Sequence, residues 1–294
     1  MEHMKKDLTL PVLAVVGGVA GFALRKWQLA AAYHPETGLF THGAVPTYIL
    51  MGLTALLLLV LLVSVQGKGD LPEDFLPAFA CPQSGQMTLW AAAGLLFFAA
   101  GLVNLMEGAQ IFQLWQATPA SDRDPTQLTL TVAQLLCALL SLGSGVSLLM
   151  MGKSAYRGEF PEKLGSLVSL PGFTGLLWLF STHLEHGTEP VLMKYGFTLT
   201  AAALLMLAHY YVAGFCFGRP RPRRAMFFAL SGIVLGLTSL ADGLTLGASV
   251  LTLAFVLSSL AFARALLGNC FGPFWSRRMP FGAEELTQKE DPAE

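Results

Sequence analysis

Charge is what this sequence has least of. Only 13% of its 294 residues are Asp, Glu, Lys or Arg, roughly half the share of an ordinary soluble domain. The net charge of -1 leaves no bulk field to hold a polyanion or polycation. Cysteine is scarce too. Cys81, Cys137, Cys216 and Cys270 lie far apart with no CxxC, so neither a structural zinc site nor a redox pair is indicated. No HExxH, GxGxxG or Walker loop is present. The Gly143-Ser144-Gly145 triplet lacks the glycine that a rhomboid-type serine site needs two residues earlier, where Leu142 stands. These absences predict no catalytic activity and no cofactor.

Apolar residues fill the space that charge leaves. With glycine counted in place of tyrosine, the apolar share is roughly 62%, against about 45–50% in soluble proteins. The chain reads as an all-α, polytopic integral membrane helix bundle. Crossing a bilayer takes about 20 mostly apolar residues per helix, and runs this continuous exclude the alternating strands of a barrel. Eight spans are predicted near 8–28, 46–66, 87–107, 129–151, 166–185, 190–215, 225–241 and 245–267. They form one transmembrane unit over 1–274, followed by a disordered cytoplasmic tail over 275–294. The longest loops fall around 67–86, 108–128 and 152–165, too short for a separate domain. Lys5 and Lys6 before the first apolar run, with Ala30-Ala31-Ala32 after it, have the outline of a signal peptide. Arg25, Lys26, Trp27 and Gln28 separate that run from the alanines, so the segment is read as an uncleaved span.

Basic residues orient the bundle. Eight spans put thirteen of them on one side: Lys5, Lys6, Lys68, Lys153, Arg157, Lys163, Arg219, Arg221, Arg223, Arg224, Arg277, Arg278 and Lys289. Arg25, Lys26, Arg123 and Lys194 fall on the other. The positive-inside rule makes the richer side, and both termini, cytoplasmic. Arg219, Arg221, Arg223 and Arg224 then form a short topogenic turn facing anionic lipid headgroups, with Pro220 and Pro222 keeping its flanking helices apart. The bilayer is the expected partner. Nucleic acid is not, because no aromatic platform accompanies the turn.

Polar residues inside the spans are the functional candidates. His209 lies in LMLAHYYVAG, and a small-polar stripe of Gln134, Cys137, Ser141, Ser144 and Ser147 runs along the fourth span. A second stripe follows Ser249, Thr252, Val256, Ser259 and Ala263. Such faces line a polar path or let helices approach closely; the glycine pairs Gly17/Gly21, Gly232/Gly236 and Gly243/Gly247 fit close approach. Asn104 and Glu107, three apart, share a helix face near the outer end. His183, Glu185, His186 and Glu189 cluster in THLEHGTEP, and His183, His186 and Glu185 are the candidate divalent-metal ligands. Arg264, near the inner end of the last span, is expected to snorkel to headgroups.

EPVLMKYGF, AHYYVAGFCFGRPRPRRAMFF, SLADG and AGFALRKWQLAAAYHPETGL together resemble a family of multi-pass membrane proteins from Gram-positive anaerobic bacteria. The resemblance implies a bacterial cytoplasmic membrane and brings no activity, cofactor or site residue. Three functional readings follow. The first is small-solute transport along a path between the fourth, sixth and eighth spans, with His209, Gln134, Ser141, Asn104 and Glu107 as its residues and an outward vestibule near Glu107, His183 and His186. The second is a sensor, scaffold or assembly factor without a transport path. The third is a metal-handling protein or membrane-embedded enzyme. Transport requires His209 to face a polar cavity, whereas a scaffold requires it to bond a neighbour inside a filled bundle.

Overall fold

The computed structural model describes residues 6–67, 69–161, 164–187 and 194–279. Among these, eight helical segments are long and apolar enough to span a bilayer, and the protein is an all-α multi-pass membrane helix bundle. The long helices are α1 (Lys6–Ala32), α2 (Val45–Ser64), α4 (Ser84–Ala117), α5 (Pro125–Arg157), α7 (Leu170–Glu185), α8 (Gly196–Ala213), α9 (Pro222–Ser239) and α10 (Leu246–Phe271). Two short helices, α3 (Phe75–Phe79) and α6 (Leu164–Leu167), lie in the connections. A two-residue hairpin, β1 (Tyr33–His34) with β2 (Leu39–Phe40), joins α1 to α2.

Proline sets several of the boundaries. Pro46, Pro125, Pro171 and Pro222 each stand in the first turn of a helix, where the missing N–H has no carbonyl to serve. Pro171, which dilutes the fifth span in sequence, therefore starts α7 rather than breaking it. The loop expected at 108–128 is largely helical: α4 continues to Ala117 and stops before Pro119, and α5 begins at Pro125. Asp124 caps α5 by accepting from Thr126 N at 2.8 Å. With a rise of about 1.5 Å per residue, α4 is roughly 50 Å long, well over the hydrocarbon thickness. The limit of about 20 residues per span cut both helices short.

Packing order follows small residues. α4, α5, α7, α8, α9 and α10 form a closed ring, each packed on the next and α10 on α4. α1 lies against α9, and α2 covers the outside of α1. Burial grades accordingly, from 72% of the spanning segment in α9 and α10 to 17% in α2. Where α4 crosses α5, a Cβ on Gly94 would stand 3.1 Å from Gly145 O, and one on Gly145 2.9 Å from Gly94 O. Backbone touches backbone there, as small residues permit in lipid.

The ring is not hollow. Trp178 stacks on Phe255 (5.4 Å, 17°), Phe255 meets Phe97 at 4.8 Å, and Phe262 meets Trp90 at 4.8 Å and Phe79 at 5.9 Å. These rings come from α3, α4, α7 and α10 and are buried. The tail expected to be disordered from 275 is in part docked. Trp275–Arg278 form a 3-10 turn, Trp275 is buried on Gly268, and Ser276 N donates to Asn269 Oδ1 at 2.9 Å. The buried tryptophan and the Asn269 amide hold this turn on α10. Residues 280–294 lie outside the described residues, as do Lys5, Lys68, Lys163, Glu189 and Lys289.

Candidate functional site

The most polar buried constellation lies at the end of the bundle where α1 finishes and α8 and α10 begin. Arg25, placed by sequence among the few basic residues on the outer side, lies inside α1 and is 0% exposed. α1 runs to Ala32, so the arginine lies two turns before its end and points into the protein. Its Nε donates to Asp242 Oδ1 at 2.7 Å, Nη1 to Gln28 Oε1 at 2.6 Å and Nη2 to Lys194 O at 2.7 Å. Asp242 Oδ2 accepts from Thr198 Oγ1 at 2.7 Å, and Gln28 Nε2 donates to Thr47 Oγ1 at 2.9 Å. The guanidinium carbon stands 4.9 Å from the Phe197 ring and 5.8 Å from that of Phe40, so α8 and the hairpin sandwich it.

This network ties α1, α2, α8, the α7–α8 connection and the turn after α9 into one unit. A charge removed from water must be paired and hydrogen-bonded on all sides, and Arg25 is. Beside it a cleft of about 80 Å³ is lined by Thr182, Glu185, His186, Tyr195, Asp242 and Thr245, among others. That is room for a few water-sized groups, far below the several hundred Å³ of a metabolite pocket.

Of the proposed metal ligands, His183 and Glu185 are exposed, and His186 stacks on Tyr195 at 5.3 Å and 20°. Among the described residues no group of three His, Cys, Asp or Glu side chains is placed to hold a metal. Among the described residues, no third donor is brought to the i, i+3 histidines at this helix end.

The proposed path residues come from three helices, α4, α5 and α8. His209 is 2% exposed. Its Nδ1 donates to Leu205 O at 2.8 Å, and its Nε2 lies 2.8 Å from the Ser258 hydroxyl, which also donates to Phe255 O at 3.0 Å. The rings of Phe255, Phe262 and Phe97 surround it at 4.9, 5.0 and 6.5 Å. Ser141 donates to Cys137 O of its own helix at 2.8 Å. Ser144 meets Thr174 of α7 at 2.8 Å, and Cys137 donates to Thr174 O at 3.7 Å, so this stripe is a contact between α5 and α7. Gln134 is partly buried, and its Oε1 lacks a hydrogen-bond partner among the described residues.

Glu107 serves the first turn of α10, and Asn104 lies beside it with its Nδ2 lacking a hydrogen-bond partner among the described residues. Glu107 Oε1 accepts from Gly247 N at 3.0 Å while Thr245 Oγ1 accepts from Ala248 N at 3.2 Å. A carboxylate from α4 thus offsets the positive end of the α10 dipole. Gly247 packs beneath the Asn104 and Glu107 side chains, whereas its supposed partner Gly243 is a left-handed turn residue with φ of 77°. Gly17 packs on Leu57, Gly21 on Thr238, and Gly232 and Gly236 on Leu205, in keeping with close approach. At the opposite end Arg219, Arg221, Arg223 and Arg224 are all exposed. Arg264 donates to Gln83 Oε1 at 3.3 Å and lies 6.0 Å from the Trp275 ring.

Sequence reading missed the pairing of Arg25 with Asp242. Its one available signal was that each charge flanks an apolar span at the same end of the bundle. Compared with known proteins, the chain matches no family model, no curated protein and no solved structure.

Proposed function

We propose that the protein is a membrane-embedded scaffold, a bundle that holds a fixed shape rather than opening a path for a solute. One observation carries this reading: His209, the most path-like residue of the spans, spends both ring nitrogens on Leu205 O and Ser258 inside a cage of Phe97, Phe255 and Phe262. A path residue needs a free polar edge toward water, and a fully satisfied imidazole among aromatic rings offers none. Transport has less support. Ser141 is satisfied by its own helix, and Glu107 by the first turn of α10. The proposal includes a bacterial cytoplasmic membrane, no catalytic activity and cytoplasmic termini. The last rests on the thirteen-to-four distribution of Lys and Arg between the two sides.

Aqueous accessibility tests it. Ser258→Cys and Ser141→Cys are made in a background with the four native cysteines replaced, and intact vesicles are exposed to a small, membrane-permeant but water-reactive thiol reagent. Glu36→Cys and Arg221→Cys, exposed at opposite ends, are the positive controls. The expected result is labelling of the controls alone, with positions 258 and 141 reacting only after denaturation. Labelling of position 258 in the folded protein at a rate near the controls would overturn the scaffold reading and restore a solute path.

A further inference from the structure

The turn between α8 and α9 is a surface that the scaffold reading leaves unused. α8 runs into a 3-10 turn over Gly214–Phe217, Gly218 takes a left-handed φ of 64°, and Arg219 N donates to Gly214 O at 2.9 Å. The chain reverses within a few residues, and Arg219, Arg221, Arg223 and Arg224 all stand exposed at one end of the bundle. Among the described residues none of the four has a carboxylate within ion-pair distance. This contrasts with Arg25, sealed against Asp242, and with Arg277, paired with Asp70.

One of the four arginines has a fixed platform. Arg224 Nη1 donates to Tyr211 Oη at 3.3 Å, and its guanidinium carbon lies 5.9 Å from the Tyr211 ring. That ring stacks on Phe228 at 5.4 Å and 7°, and Phe228 meets Phe227 at 5.4 Å. Beside this ledge, Tyr210 packs on Tyr211 at 5.3 Å and is 60% exposed, and Phe217 is 56% exposed. Unpaired guanidiniums therefore border exposed aromatic rings on the flank of membrane-spanning helices. A ligand that satisfies both must carry an anionic, phosphate-like head and a hydrocarbon body. Arginine's planar fork suits the phosphate oxygens, and aromatic residues at the membrane interface suit the boundary between head and chain.

We propose that the Arg219–Arg224 turn, with Tyr210, Tyr211 and Phe217, is a binding site for an anionic phospholipid. The phosphodiester sits among the guanidiniums, and the acyl chains run along the exposed rings. The site depends on the membrane placement of the bundle and not on the scaffold reading, so either can fail alone.

The test uses the full-length protein in a non-ionic detergent. It is titrated in separate arms with phosphatidylglycerol, with phosphatidylcholine of the same chains, and with inorganic phosphate. Native mass spectrometry counts the lipids retained, and thermal unfolding reports binding to the folded state. Phosphatidylglycerol is expected to bind saturably and to raise the melting temperature, while phosphatidylcholine and phosphate do neither. Each Arg→Gln change should weaken binding about fivefold. Arg224→Lys should weaken it too, because an ammonium keeps the charge but loses the fork and the ring contact. All four positions are exposed, so the variants retain the fold, and a quadruple Arg→Lys protein, which keeps the charge, separates loss of charge from loss of the guanidinium fork. Equal binding of phosphatidylcholine, or unchanged binding after quadruple Arg→Gln, overturns the site. Displacement of phosphatidylglycerol by inorganic phosphate at comparable concentration overturns the lipid and leaves a free-phosphate site.

Discussion

Asp242→Asn removes one charge from the buried network and leaves the shape of the side chain unchanged. In the parent protein the Arg25 guanidinium is 0% exposed and its Nε donates to Asp242 Oδ1 at 2.7 Å. At an effective dielectric near 20, unit charges about 4 Å apart attract by about 4 kcal/mol. Loss of one partner leaves the other charge stranded, which costs about 3–5 kcal/mol. Asparagine still offers one oxygen, so the Thr198 or the Arg25 contact survives while the counter-charge does not. The assay is unfolding in mixed micelles by titration with sodium dodecyl sulfate, followed by far-ultraviolet circular dichroism. Asp242→Asn and Arg25→Met should each destabilise by about 3–5 kcal/mol. A double-mutant cycle should give a coupling of about 2 kcal/mol or more. Arg277 and Asp70, 55% and 61% exposed, supply the control, since an exposed pair contributes at most about 1 kcal/mol. Added salt should weaken the Arg277–Asp70 contribution and spare the buried one. An Asp242→Asn protein within about 1 kcal/mol of the parent, or strictly additive single changes, would refute the reasoning.

Three further outcomes follow from the same geometry and are read by the same unfolding titration. Gly247→Val should be more damaging than Glu107→Gln: any Cβ at 247 collides with the Asn104 and Glu107 side chains, whereas glutamine keeps an acceptor for Gly247 N and loses about 0.3–1 kcal/mol of dipole interaction. His209→Ala should cost about 3 kcal/mol or more, since it opens a cavity among Phe97, Phe255 and Phe262 and removes the imidazole's contact with the Ser258 hydroxyl. Cys81, in the connection before α4, has its thiol pushed above the usual value of 9.0, chiefly by burial. The folded chain therefore holds this proton more tightly than the unfolded one. Its contribution is intact below pH 9 and declines above it; Cys81→Ala should flatten the loss of stability between neutral and strongly alkaline pH.

Which parts were legible in sequence depended on how far apart the interacting residues lie. The span expected at 46–66 is α2, Val45–Ser64, because an uncharged run between a proline and a glycine fixes both ends locally. α4 overran its expected end because IFQLWQA contains no residue that breaks a helix, although it is polar enough to look like loop. The exposed arginine turn was legible for the same local reason. Arg25 and Asp242 were not, being 217 residues apart, nor were His209 and Ser258, 49 apart. Apolar periodicity carries no address for such pairs. They are set by the ring order of the helices, which brings α1 to α9 and α8 near α10.

The polar stripes are accounted for by bonds within helices and contacts between them. Away from water, a serine or threonine in a helix can return its proton to the carbonyl four residues earlier. Thr131, Ser141, Ser144, Thr238 and Thr252 all do so. Each bonds its own helix, and all but Ser144, which also meets Thr174 of α7 at 2.8 Å, offer the neighbouring helix chiefly a small surface. Longer polar side chains that reach past their own backbone behave differently. Gln86 of α4 donates to Ala261 O of the neighbouring α10 at 2.6 Å. Asn269 clamps Ala78 O and Ala80 O at 3.0 Å, and Arg25 binds Asp242. In this bundle short hydroxyls set how closely the helices approach, and the few long polar groups choose which helices meet. Changing Ser141 or Thr252 to alanine should therefore alter stability much less than changing Gln86, Asn269 or Arg25, a ranking that the same unfolding titration can check.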